Sequence, residues 1–179
     1  MAQEETRILL EGYNDLKKIL AKVDPDLRRE MDREIRDILK PVALRAKEYV
    51  PRVALSGWRQ SEGAVRFGAA RMPAWNYQGI VRNIKVLQGG KRLKGSARSS
   101  VWRIRNQEPS GAVFELAGRG PSTHSFVKAI MKTHGRPARL IWRAWDEAGG
   151  DKVVTKKVVN TIDDYGRVFA TELSNVTGK

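Results

Sequence analysis

Two histidines are the first place to look for chemistry in this chain. His124 and His134 lie ten residues apart in a Gly- and Pro-flanked stretch, and a metal centre built on them would need carboxylates or thiolates at ligand spacing, which the stretch lacks. There is no Cys among the 179 residues, so disulfides, thiolate ligands and Cys nucleophiles are all excluded. Lone histidines of this kind read as surface or packing residues. Carboxylates are equally sparse where they would matter: between Pro51 and Trp145 the only acids are Glu62, Glu108 and Glu115, isolated among cations. A hydrolase or nuclease that holds a divalent ion needs them clustered. The segment Ala117-Gly-Arg-Gly-Pro-Ser-Thr123 has the glycines and the Arg of a phosphate cradle but not the Gly-x-x-x-x-Gly-Lys-Ser/Thr spacing, so it reads as a strand-to-helix turn. The expectation is a protein without catalytic residues, metal or cofactor.

What the chain does concentrate is positive charge. The formal net charge is +14, and the segment from Pro51 to Trp145 carries 18 Lys and Arg against those three acids. Both flanks are close to neutral: 11 bases and 11 acids from Met1 to Val50, 5 and 6 from Asp146 to Lys179. A general basic bias that only aids solubility would not spare both ends, so a polyanionic partner such as DNA, RNA or an acidic protein face is expected. Four of the cations, Lys91, Arg92, Lys94 and Arg98, fall in the Gly-rich stretch from Gln88 to Ser100. That composition buries little and repels itself, so it predicts a mobile hairpin loop that orders on DNA or on a partner. All five Trp lie in the basic segment, three of them followed by Arg: Trp58-Arg59, Trp102-Arg103 and Trp142-Arg143. Such pairs stack on bases or form protein interfaces, but Trp is also a core residue, and no RNA-binding fingerprint accompanies them. Trp58, Arg59, Trp142 and Trp145 are the interface candidates.

These residues need elements to hold them. Ile8 to Val23 shows an apolar stripe at three- and four-residue steps, Asp24-Pro25 supplies a cap and a first helical residue, and a long helix with its stripe from Leu27 to Tyr49 follows. Pro41 predicts a kink or break in it. Ala64–Gly68, Gly79–Leu87, Ser99–Asn106 and Ala112–Ala117 read as four short strands. Arg139 to Ala148 and the stretch after Asp151 return to helix. The predicted fold is α+β: a small antiparallel sheet of about four strands packed against a long N-terminal helix, with further C-terminal helices. The expected organisation is one domain over 1–150 with a helical extension over 151–179. No apolar run reaches the roughly 20 residues of a membrane span, so no membrane partner is expected.

Three blocks of sequence resemble a family of minor tail components of long-tailed bacteriophages. Ala46-Lys47-Glu48-Tyr49-Val50-Pro51 followed by Ser56-Gly57-Trp58-Arg59-Gln60-Ser61 is similar to the family's helix end and its Thr-Gly-x-Leu-Arg-x-Ser turn, with Ser56 in place of the Thr. Val113-Phe114-Glu115-Leu116-Ala117-Gly118 is similar to a Val-Glu-Phe-Gly strand end, and Gly135-Arg136-Pro137-Ala138 to an Arg-Pro step before a closing helix. The match covers roughly Leu27 to Ala148. It implies a structural protein of the virion neck, made in the host cytoplasm, that completes the tail by joining the head-closure ring to the tail tube. Its implied partners are further copies of itself in a ring, the connector and tail proteins on either side, and genomic DNA held without sequence preference in the channel. A tail terminator ring and a free basic DNA- or RNA-binding domain are the alternatives. The free domain predicts tight binding by the monomer with a steep salt slope, the neck protein weak monomer binding and strong association.

Overall fold

The computed structural model describes residues 5–10, 13–55, 58, 66–67, 70–88, 99–121 and 124–177. Its elements are β1 (Glu5–Leu10), α1 (Tyr13–Val23), α2 (Pro25–Glu48), β2 (Arg66–Phe67), β3 (Ala70–Arg71), α3 (Tyr77–Asn83), β4 (Ile84–Gln88), β5 (Ser99–Asn106), α4 (Pro109–Leu116), α5 (Ser125–His134), α6 (Ile141–Glu147), a π-helical turn (Asp151–Thr155) and α7 (Lys156–Thr177). The described chain is mostly helical, which overturns the four-stranded α+β expectation. Its strands form one three-stranded sheet in the order β1-β5-β4 and one two-residue antiparallel pair, β2 with β3.

The reasons lie in short apolar runs, where period alone does not separate strand from helix. Ala112–Ala117 lies almost wholly in α4, started by Pro109 at its first position. A strand would put Phe114 and its neighbour Glu115 on opposite faces, whereas here both are buried, 2 % and 1 % exposed. Gly79–Leu87 divides: Asn76 caps α3 by accepting from the Gly79 amide at 2.8 Å, and the strand begins only at Ile84. Of the first predicted strand, Arg66–Phe67 is a strand and the rest lies mainly outside the described residues. Ser99–Asn106 is a strand over its full predicted length. The helical stripe expected from Ile8 begins instead as β1, with helix only from Tyr13. The long helix α2 runs through Pro41 without a break and buries its predicted face: Met31, Ile35, Leu39, Val42 and Ala46.

The chain divides into two compact units, one of Met1–Thr6, Val42–Lys85 and Ile104–Asp146, the other of Arg7–Pro41, Val86–Arg103 and Glu147–Lys179. The first unit has an aromatic core. Trp58 and Trp75 lie 4.8 Å apart, Phe126 meets Trp58 edge-on at 5.0 Å, and Phe114 lies 5.4 Å from Trp75. Ring pairs at these separations add to the stabilisation from their buried area. Both indole nitrogens are satisfied, Trp58 donating to the Pro73 carbonyl at 2.8 Å and Trp75 to that of Arg52 at 3.1 Å. The second unit packs Tyr13 and Leu20 of α1, Met31, Ile35 and Leu39 of α2, Trp102 of β5, and Val158, Ile162 and Phe169 of α7. The Tyr13 hydroxyl donates to Asp32 at 3.3 Å, and burial chiefly pushes its pKa up to about 12.

Candidate nucleic-acid interface

Burial sorts the charges of the two units differently. Among the described residues of the first unit, nine exposed cations (Arg45, Arg52, Arg82, Lys85, Arg119, Lys128, Lys132, Arg136 and Arg143) face two exposed acids, Glu48 and Asp146. Among those of the second unit the exposed cations and acids balance, ten to ten. The second unit also contains Lys91, Arg92, Lys94 and Arg98, which lie outside the described residues, so over the full sequence both units are basic, +8 and +6, and the contrast holds for the described residues alone.

Two buried ionic residues set the frame of that basic surface. Arg139, 5 % exposed, turns its guanidinium onto the C-terminal end of α4. It donates to the carbonyls of Phe114 at 2.5 Å and Ala117 at 3.0 Å, and to that of Gly135 at 2.8 Å. Glu115, on α4 itself, accepts from the backbone amides of Leu140 and, at 3.1 Å, Trp142, where α6 begins. Each charge therefore sits at the helix end whose dipole attracts it, the cation on the carbonyl end of α4 and the anion on the amide end of α6. Burial raises the Glu115 pKa, although the amide bonds and the attraction of Arg139 pull it down. Desolvation likewise lowers that of Arg139, against the pull of Glu115. The backbone also turns sharply here, with Ala138 at φ 73° and its amide bonded to the Glu115 carbonyl at 3.0 Å.

Held this way, α6 presents Arg143 outward, and the end of α2 supplies Tyr49 and Arg45. The Arg143 guanidinium carbon lies 4.0 Å from the centre of the Tyr49 ring, and that of Arg45 lies 5.0 Å from the same point. Both distances are cation–π contacts. Glu48 accepts from Arg45 at 2.7 Å in an exposed pair, an arrangement that contributes little in water.

The sequence-predicted residues are placed unevenly. Trp58 and Trp145 are core residues, 7 % and 3 % exposed. Trp142 is half-buried, with Arg119 over its ring at 5.8 Å. Arg59 and the loop cations Lys91, Arg92, Lys94 and Arg98 lie outside the described residues. His124 accepts from the Phe126 amide through Nδ1 at 3.3 Å and so caps α5. His134 donates from Nε2 to the Ala54 carbonyl at 2.5 Å and packs edge-on against Phe114. Glu108 and Glu115 are both engaged with backbone or nearby side chains, Glu108 accepting from Ser110 at 3.5 Å. Among the described residues no three His, Asp or Glu side chains come together to hold a metal ion, and no helix is long and apolar enough to cross a membrane. Sequence reasoning missed the Glu115–Arg139 exchange and the Tyr49 stack. The first left one signal, an acid inside an apolar run; of the second, Arg45 four residues before Tyr49 was readable as an i,i+4 pair, but Arg143, 94 residues beyond Tyr49, was not.

Compared with protein-family models, with curated proteins and with solved structures, the chain matches none.

Proposed function

We propose that this protein is a structural subunit of the neck of a long-tailed phage, assembling as a ring that joins head to tail around the DNA channel. The observation that carries the reading is the concentration of positive charge between Pro51 and Trp145, 18 bases against three acids, with both flanks of the sequence close to neutral. A subunit lining a DNA passage needs a surface that tolerates phosphates and another, of mixed charge, that pairs with protein neighbours. Further support comes from two of the three resembling blocks. The Ala46–Pro51 part of the first block spans the end of α2, while Ser56–Ser61 lies mainly outside the described residues, and Gly135–Ala138 falls in the turn between α5 and α6. The Val113–Gly118 block gives none, since its residues are mainly helical.

The test is genetic and biochemical. Deleting the gene should leave DNA-filled heads and separate tails that fail to join, and adding purified protein to the two should restore infectious particles. Crosslinking of intact virions should place the chain beside itself and beside head-closure and tail proteins. Particles that assemble and infect normally without it would overturn the reading.

A further inference from the structure

We propose that the groove between α1 and α7 is a docking site for α7 of a second copy of this chain, the two α7 helices lying antiparallel about a two-fold axis. The pairing goes beyond the proposed function and does not rest on it: a two-fold contact is complete at two copies, whereas a ring repeats a head-to-tail one. Leu16 of α1 and Ile162, Gly166 and Ala170 of α7 line the groove, with Asp163 and Arg167 along its α7 side. All of them belong to the second unit. On α1 the apolar stripe runs on from Leu16 through Ile19 and Val23, which are 47 % and 58 % exposed and share its face at three- and four-residue steps. They extend the apolar surface of the groove along α1.

Two observations identify the occupant as a second α7. The first is Gly166, in the interior of a 22-residue helix. Glycine at such a place is destabilising relative to alanine, and the helical backbone does not demand it. Nothing inside the subunit offsets that loss, since a Cβ added at Gly166 meets no atom within 4 Å. A missing side chain on a groove wall lets another backbone approach closely. The second observation is charge. Asp163 and Arg167 stand four residues apart and so share one flank of α7. In an antiparallel two-fold pair that flank faces itself with the direction reversed, so Asp163 of each copy meets Arg167 of the other and two ion pairs form. The counter-argument is Asp164, which already accepts from Arg167 at 2.7 Å. That pair is 77 % and 64 % exposed at the side chains, and a pair so exposed gives way readily.

The experiment is sedimentation equilibrium of the full chain over a range of concentrations, with thermal melts run at dilution, where the chain is single. The wild type should show a monomer–dimer equilibrium. Asp163→Arg and Arg167→Asp each set like charges together at both symmetric contacts and should weaken pairing about tenfold. The D163R/R167D double variant should regain it, and an equimolar mixture of the two single variants should form mixed pairs more tightly than either forms alone. Gly166→Ala should raise the Tm of the dilute chain by about 1–4 °C and yet weaken pairing, a split of signs that a role inside the subunit does not give. Lys157→Asp, on the opposite face of α7, should leave pairing unchanged. A chain that stays single up to its solubility limit overturns the proposal. So do single variants that pair like the wild type, a double variant and a mixture that fail to recover, or a control that loses as much as they do. A groove that takes up another neck protein while the chain itself stays single assigns the site to that partner and also overturns it. If Arg167→Asp abolishes pairing and the variant still joins heads to tails, the pair is a state of the unassembled chain and the neck reading stands. If the chain pairs as described but particles assemble and infect without it, the pair stands and the neck reading falls.

Discussion

Replacing Arg139 with Met tests the exchange of charges between α4 and α6 directly. The change keeps most of the side-chain volume but removes the donors serving the carbonyls of Phe114, Ala117 and Gly135, and it leaves the buried carboxylate of Glu115 without its cation. Each buried carbonyl left bare costs about 1–3 kcal/mol, and the coulombic attraction that Arg139 exerts on Glu115 is lost as well. The expected destabilisation is about 3–5 kcal/mol, roughly a 10 °C fall in Tm for a chain of this size. Urea unfolding followed by tryptophan fluorescence should show it as a lower midpoint with unchanged m. Glu115→Met should behave alike, whereas the double variant removes both charges and should cost less than the two singles together, with a coupling of at least about 1 kcal/mol. pH gives an independent reading. Burial raises the folded-state pKa of Glu115 above its ordinary 4.5, so its contribution is fully present below the unfolded value and is lost as pH rises through the folded one. The stability gap between wild type and Glu115→Gln should therefore widen as pH falls from 7 toward 4. A single variant within about 1 kcal/mol of wild type, additive singles, or a gap that narrows on acidification would each refute the reasoning.

Further perturbations follow from other features. Tyr13, 1 % exposed with a pKa near 12, contributes stability that is lost as pH rises from about 10 through that value; Tyr13→Phe should flatten that alkaline loss in pH-dependent thermal melts. A Cβ at Gly111 would come within 2.0 Å of Asn106 Nδ2, and Asn106 is itself held by the Glu108 amide at 2.9 Å. Gly111→Ala should therefore cost about 1–3 kcal/mol, seen as a lower Tm, and an unchanged melt would show that the site relaxes. Pro41 lies exposed inside α2, where Ala would restore a backbone donor, so Pro41→Ala should stabilise by about 1–2 kcal/mol after allowance for the looser unfolded chain. Replacing Lys91, Arg92, Lys94 and Arg98 together with Ser should impair head-to-tail joining while leaving the melt unchanged, and full infectivity would reduce that segment to solvated surface.

The helices with long, regular stripes were legible in the sequence because burial there follows one face. In α2 each of Met31, Ile35, Leu39, Val42 and Ala46 is buried as its spacing requires, and helical spacing overrode the break that Pro41 suggested. Ser99–Asn106 was legible as a strand for the same reason at period two, with Trp102 and Ile104 both 1 % exposed. The failure came at α4, where the run is too short for period to decide and where a carboxylate is buried. Nothing local in the Ala112–Ala117 run reveals that a helix beginning 26 residues later will present amides to Glu115. The basic segment was legible as composition, but that Arg139 and Glu115 within it are buried rather than part of its surface required the structure.

The exchange between Glu115 and Arg139 also bears on how this unit opens. If α6 swings away, Glu115 loses its amides while still enclosed by α4; if α4 leaves first, the guanidinium of Arg139 loses the carbonyls it was desolvated to meet. Neither helix can detach without stranding a charge in a nonpolar surrounding. The two should therefore exchange their amide hydrogens as one cooperative block, at a single opening free energy well above that of the α5 ends. Fraying from either side is suppressed, and the exposed cations mounted on such a block keep their mutual spacing while the rest of the unit breathes.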